Sequence, residues 1–134
     1  MEIYCGTDII EVERIQDAIE NTKEFKENIF SKKEIEDIDS IKGQMKYQRY
    51  AGRFAAKEAI YKAMSQILVE NKMNMSFLDV EIINMDELRN RPRVNFLNSK
   101  VIDLVNKLGI EIDVSISHIK ETAMAMAVIK VKKE

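Results

Sequence analysis

The sequence predicts an α+β domain in which helices, one of them long and central, pack on antiparallel strands. Three observations carry that prediction. Residues 51–65, AGRFAAKEAIYKAMS, contain no proline and five alanines, the best helix former, and read as the last part of a helix that starts near Gln44. Ile110, Ile112, Val114 and Ile116 alternate with Glu111, Asp113, Ser115 and Ser117, the period of a half-buried strand. After a turn at Lys120-Glu121, residues 122–131 read as a second strand, so a hairpin is expected. At 134 residues the chain is expected to be one domain, 1–134.

The other elements follow in order. Residues 1–5 are short and mostly apolar and read as a strand, which Gly6-Thr7-Asp8 is expected to break. A helix is expected from Val12 to Asn21, with Ile15, Ala18 and Ile19 on its apolar side. Ser31 and Glu34 have capping-box spacing and start a short helix that ends near Ser40. The long helix follows, and Gly52 inside it suggests close approach by another backbone or a ligand. Residues 70–76 read as a polar connection and 77–84 as a strand, with Leu78, Val80 and Ile82 in alternation. A charged turn over 85–91 leads past Pro92, the only proline, to a short strand over 93–96. Residues 99–108 form an amphipathic helix that Gly109 stops. The order is β-α-α-α-β-β-α-β-β.

The totals exclude several classes of function. A net charge of −2 lacks the basic excess of a nucleic-acid binder. Cys5 is the only cysteine and His118 the only histidine, so no intramolecular disulfide, cysteine cage or polyhistidine zinc site is available. Any metal would rest mainly on carboxylates and be a hard cation such as magnesium. The first residues lack a basic segment followed by an apolar one, and no apolar run approaches the ~18 residues that span a bilayer. A cytoplasmic setting without a membrane partner fits these features.

Candidate functional residues cluster on the long helix. Arg53, Lys57 and Tyr61 fall on one stripe of a 3.6-residue period; Phe54, Glu58, Lys62 and Ser65 fall on the next. Three cations and a carboxylate suit a phosphorylated ligand held through a metal, the cations taking phosphate oxygens. The competing reading is a solvated face with Glu58 and Lys62 as an i,i+4 pair contributing about 0.2–0.5 kcal/mol. Asp8 at a strand-to-helix junction reads as a helix cap or as a rigid metal ligand. Arg14, Ala18 and Phe25 fall near one line if the first helix extends. An exposed arginine bordered by apolar residues would suit an acidic amphipathic helix of a partner, or be merely solvated. His118 at the hairpin end reads as a turn residue or a catalytic one.

Taken together, Gly6-Thr7-Asp8 with Arg14, the string from Gly52 to Ala59 (GRFAAKEA) followed by Lys62-Ala63, and Ser115-Ile116-Ser117-His118 before an alanine-rich strand resemble the holo-[acyl-carrier-protein] synthases, the small single-domain 4'-phosphopantetheinyl transferases. Phe30-Ser31 with Glu34 resembles the family's F-T-x-x-E segment, and Arg91-Pro92 its G-K-P turn. The resemblance covers nearly the whole chain. It implies a 4'-phosphopantetheinyl transferase-like fold, and transfer of the 4'-phosphopantetheine group of coenzyme A to a serine of apo-acyl carrier protein in fatty acid biosynthesis, a branch of lipid metabolism. The other product would be adenosine 3',5'-bisphosphate. Asp8 and Glu58 would be the magnesium ligands, and Lys62 would hold the pyrophosphate. Arg53, Lys57, Pro92, Ser117 and His118 would lie near the coenzyme, and Arg14, with Ala18 and Phe25, would meet the carrier. A homotrimer with sites between subunits is also implied.

In the mechanism so implied, the carrier serine attacks the β-phosphorus, and magnesium with Lys62 neutralises the developing charge. Candidate bases are Glu58, His118 and a metal-ordered water, and water oriented by Glu58 is preferred. The chain departs from the family pattern at Ser65 and Asn90, both in place of glycines expected to border the coenzyme. Ser65 extends the helix more readily than glycine, and Asn90 tolerates the left-handed conformation. Two alternatives stand beside this reading: the same chemistry on polyketide or peptide-synthesis carrier domains, and a non-catalytic module that binds an acidic helix.

Overall fold

The structure is a computed structural model, and it describes residues 1–85 and 91–132. The expected turn over 85–91 therefore lies largely outside the described residues, as does Asn90. Eleven segments follow one another: β1 (Glu2–Glu11), α1 (Val12–Asn21), α2 (Phe25–Ile29), α3 (Lys32–Asp39), α4 (Gln44–Glu70), a 3-10 turn (Phe77–Asp79), β2 (Val80–Met85), β3 (Arg91–Phe96), α5 (Ser99–Leu108), β4 (Ile110–His118) and β5 (Thr122–Val131). The fold is the expected α+β arrangement, with α4 as its axis.

β1, β5 and β4 form an antiparallel sheet in that order, and β2 pairs with β3 in a second, two-stranded sheet. β5 is central in the first sheet. Its Ala123, Ala125, Ala127, Ile129 and Val131 are buried, and their small size at the first three positions lets α4 lie close. Ala55, Ala56, Ala59, Ile60, Ala63 and Met64 of α4 fill the facing layer. A second apolar cluster joins Val12 and Ile15 of α1, Phe30, and Ile38 of α3 to Tyr50 and Ala51 near the start of α4. Among the described residues no helix is long and apolar enough to cross a membrane.

Four expectations need correction. β1 is not broken at Gly6-Thr7-Asp8 but runs on to Glu11, with Asp8 paired to Ala125 inside the sheet. Gly6 is not in a positive-φ conformation. It is glycine because a Cβ there would stand 2.2 Å from the Ala59 carbonyl oxygen and 2.8 Å from the Ala63 nitrogen. The first helix does not extend to Phe25: Thr22 is extended, Glu24 has φ 67°, and Phe25 opens a separate short helix. Residues 77–79 form a 3-10 turn rather than a strand, with Asp79 accepting from the Ser76 N–H at 2.8 Å, and Leu78 is exposed. The long helix continues past Ser65 for five residues, Ser65 turning its hydroxyl onto the Lys62 carbonyl at 2.8 Å. Gly109, at φ 62°, caps α5 as expected.

Candidate active site

The even-numbered positions of β1 face α4, because strand side chains alternate. Asp8 is therefore directed at the helix, and the missing side chain at Gly6 allows the strand to come close enough for Asp8 to meet Lys62. The Lys62 ammonium donates to Asp8 Oδ1 at 3.2 Å and to the Thr7 carbonyl at 2.9 Å. Asp8 is 17% exposed and Lys62 52%, so the cluster opens to solvent on the lysine side. Burial, and then the neighbouring charge of Asp8, hold the Glu58 carboxyl above its ordinary value, while Lys62 acts in the opposite sense.

Two carboxylates facing one site, the charge of Asp8 acting on Glu58, form a natural seat for a small hard cation. Magnesium takes one or two carboxylates and fills its remaining positions with water and phosphate oxygens. The donor set of Asp8 and Glu58 fits that pattern. Among the described residues no group of three or more His, Cys, Asp or Glu is placed to hold a metal, so protein ligands beyond this pair are not offered. Glu58 also borders a cleft of about 300 Å³ whose walls include Tyr61, Met75, Phe77 and Val80.

A second cluster lies near the start of α4. His118, at the end of β4, donates from Nδ1 to Gln48 Oε1 at 2.8 Å, which leaves Nε2 open. Burial, and then the charge of Arg49, lower its pKa, favouring the neutral ring. His118, Arg49, Arg53, Asn84 and Pro92 border a cleft of about 140 Å³, and Ile116 reaches within 2.9 Å of where a Cβ on Gly52 would be. The close approach expected at Gly52 is thus to a side chain of β4. Gln48 and Glu58 are ten residues apart on one helix, about 15 Å along its axis. One chain therefore carries two separate clusters.

The remaining candidates are placed as follows. Arg53 is buried and donates to the Ile82 carbonyl at 2.6 Å. Lys57 is also buried, and its ammonium meets three acceptors: Glu34 Oε1 at 2.7 Å, the Ile29 carbonyl at 2.8 Å and the Phe77 carbonyl at 3.1 Å. The solvated-face reading fails for both residues. Ser117 is exposed and pairs with Met124, on the sheet face turned away from α4. Arg14 is exposed on α1, Ala18 is half-buried, and Phe25 stacks on Phe54 with centroids 6.3 Å apart. Sequence reasoning missed Arg49, although it lies four residues before Arg53 on the same stripe. It also missed the second role of Glu34, a buried ion-pair partner, which a capping-box reading conceals.

Against known proteins, residues 4–127 match the family model of the 4'-phosphopantetheinyl transferase superfamily. The holo-[acyl-carrier-protein] synthase of Ruminiclostridium cellulolyticum is 45% identical over 131 residues, covering 96% of this chain and 92% of the relative. This chain belongs to the 4'-phosphopantetheinyl transferase superfamily. It is an enzyme of the phosphopantetheinyl transferase class. A second synthase of this superfamily, from Thermoanaerobacter sp., is 40% identical and covers 96% of this chain and 87% of its own. Solved phosphopantetheinyl transferase structures share the fold. The Bacillus anthracis holo-(acyl-carrier-protein) synthase in complex with CoA (3',5'-ADP) has a TM-score of 0.75 at 32% identity, over 96% of both chains. The Helicobacter pylori enzyme in complex with coenzyme A has a TM-score of 0.73 at 30% identity, over 94% of this chain and 99% of that one.

Proposed function

We propose that this transferase acts as a holo-[acyl-carrier-protein] synthase. It moves the 4'-phosphopantetheine group of coenzyme A onto a serine of the apo-acyl carrier protein of fatty acid biosynthesis, in the cytoplasm, and releases adenosine 3',5'-bisphosphate. The observation that carries the proposal is the cluster of Asp8, Glu58 and Lys62, two carboxylates and a half-exposed ammonium on facing elements. Asp8 and Glu58 would hold magnesium, which when bound supplies charge neutralisation on the pyrophosphate oxygens. Lys62, half-exposed, turns its ammonium onto the same pyrophosphate. The serine oxygen forms a bond to the β-phosphorus. The bond from that phosphorus to the bridging oxygen breaks, and the electron pair leaves with adenosine 3',5'-bisphosphate. The serine proton passes to a water that Glu58 orients.

Arg49, Arg53, Pro92 and His118 form a second surface suited to phosphate through its two guanidinium groups. His118, held on Gln48, lies ten residues of helix from Glu58, about 15 Å along the axis, too far for one pyrophosphate to touch both within a chain, while Arg53 lies five residues from Glu58. The reading therefore includes a homotrimer, in which the second surface of one copy completes the first of its neighbour. Its support is the sheet face turned away from α4, where Ile3, Ile9, Met124 and Met126 are exposed and uncovered by any described element. Arg14, with Ala18 beside it, would face the carrier's acidic helix, while Phe25 stacks on Phe54.

The test is to incubate the protein with magnesium, coenzyme A and an apo-acyl carrier protein, and to weigh the carrier intact. The expected result is a gain of one phosphopantetheine that disappears with chelator. A carrier that stays at its apo mass with folded protein, across carriers of fatty acid, polyketide and peptide synthesis, would refute the proposal.

A further inference from the structure

Lys57 and Glu34 have the two most deeply buried ionic side chains among the described residues, at 1% and 0% exposed. All three hydrogens of the Lys57 ammonium are used, on Glu34, Ile29 and Phe77, so none is left for a ligand. Glu34 is equally committed. Oε1 accepts from Lys57 and from the Ser31 N–H at 2.9 Å, and Oε2 accepts from the Ile82 N–H at 3.0 Å. The carbonyl of the same Ile82 accepts from Arg53. While β3 occupies one edge of β2, side chains from α3 and α4 occupy the other.

We infer that the Glu34–Lys57 pair is a positioning device for the coenzyme, an inference that rests on the function proposed above. Lys57 borders the larger cleft, but with every hydrogen of its ammonium committed the pair offers no bond to a ligand. It fixes the walls of both clefts against α4. Phe77, held through its carbonyl, and Val80 face Glu58 across the larger cleft. Asn84, two residues beyond Ile82, and its partner Pro92 form a wall of the smaller one. The pair thus joins the end of α2, α3, α4, the 3-10 turn and β2 at one point. Stability alone does not account for such a pair, because well-packed apolar residues of the same volume serve stability as well or better. What an ion pair with five directed hydrogen bonds adds is a single relative placement of the segments it joins.

Glu34→Gln tests this, since it keeps the volume and an acceptor oxygen and removes the charge. In protein shown by circular dichroism to be folded, KM for coenzyme A is expected to rise at least ~10-fold, within the range produced by a displacement of about 1 Å at a site. KM for the carrier protein is expected to stay unchanged. Glu34 is fully buried, so a selective effect on coenzyme A cannot come from lost contact with it. An unchanged KM for coenzyme A, or an equal rise for both substrates, overturns the inference. If Glu34→Gln does not fold, Lys57→Arg carries the same expectation and the same refutation, because it keeps the charge while replacing three divergent donors by a planar fork. Wild-type protein that fails to transfer at all refutes the proposed function instead, so the two failures are distinguishable.

Discussion

At Gly6 a single missing side chain decides where Asp8 stands. A Cβ would lie 2.2 Å from a backbone oxygen of α4, and a backbone oxygen has no rotamer by which to yield. Gly6→Ala must push β1 away from α4, and overpacking of this kind costs about 1–3 kcal/mol or more. Urea denaturation is expected to show a lower midpoint, and transfer is expected to fall with it because Asp8 moves away from Glu58. An unchanged midpoint would mean that the contact relaxes without cost. His118 permits an equally direct measurement, since it is the only histidine. Burial, and then Arg49, place its pKa below 6.5, so its proton NMR titration is expected to have a midpoint below that value. As pH falls below about 6.5, the unfolded chain takes up a proton that the folded chain resists, and this residue's contribution to stability declines. A midpoint at or above 6.5 would contradict the half-buried placement near Arg49. Residue identity alone disclosed neither point. A glycine before Thr7-Asp8 suits a turn as well as a close packing contact, and only the pairing of β1 with β5 tells them apart.

Among the elements, those with a strong local signal were legible. The alanine content of α4, the Ser31 capping box and the alternation of β4 each determine an element without help from tertiary contacts. The errors occur where contacts override local chemistry. β1 continues through Gly6-Thr7-Asp8 because each residue from Glu2 to Glu11 has a partner on β5. The 3-10 turn at Phe77–Asp79 ends in a carbonyl at Leu97's disposal, since the Leu97 N–H donates to Asp79 at 2.8 Å, a long-range bond that alternation cannot foretell. The buried partnership of Glu34 and Lys57 spans 23 residues and two helices, and in the sequence each residue had a sufficient local explanation. Breaking such a buried pair by removing one partner typically costs about 3–5 kcal/mol. Lys57→Met is accordingly expected to lower the melting temperature sharply, whereas Lys62→Met, at a half-exposed position, is expected to leave it nearly unchanged while transfer is lost. Equal thermal stabilities would contradict the division of the α4 lysines into a buried tie and a half-exposed group beside Asp8.

At the scale of the whole molecule, the sequence placed Glu58, Lys62 and His118 in one site, whereas a single chain holds His118 on Gln48, about 15 Å along α4 from Glu58. Helical spacing shows which residues share a stripe, but not which cleft each stripe meets; that depends on where β1, β2 and β4 lie around the helix. The proposed homotrimer joins Glu58 and His118 across copies of the chain through the uncovered sheet face. Mixing two inactive proteins, Glu58→Ala and His118→Ala, tests that claim and the transfer chemistry together, with the carrier weighed intact after subunit exchange. Each protein alone is expected to leave the carrier at its apo mass. The mixture is expected to restore the gain of one phosphopantetheine, with about one interface in four carrying both intact halves if copies exchange at random. A mixture that stays inactive although mixed assemblies have formed would contradict the account.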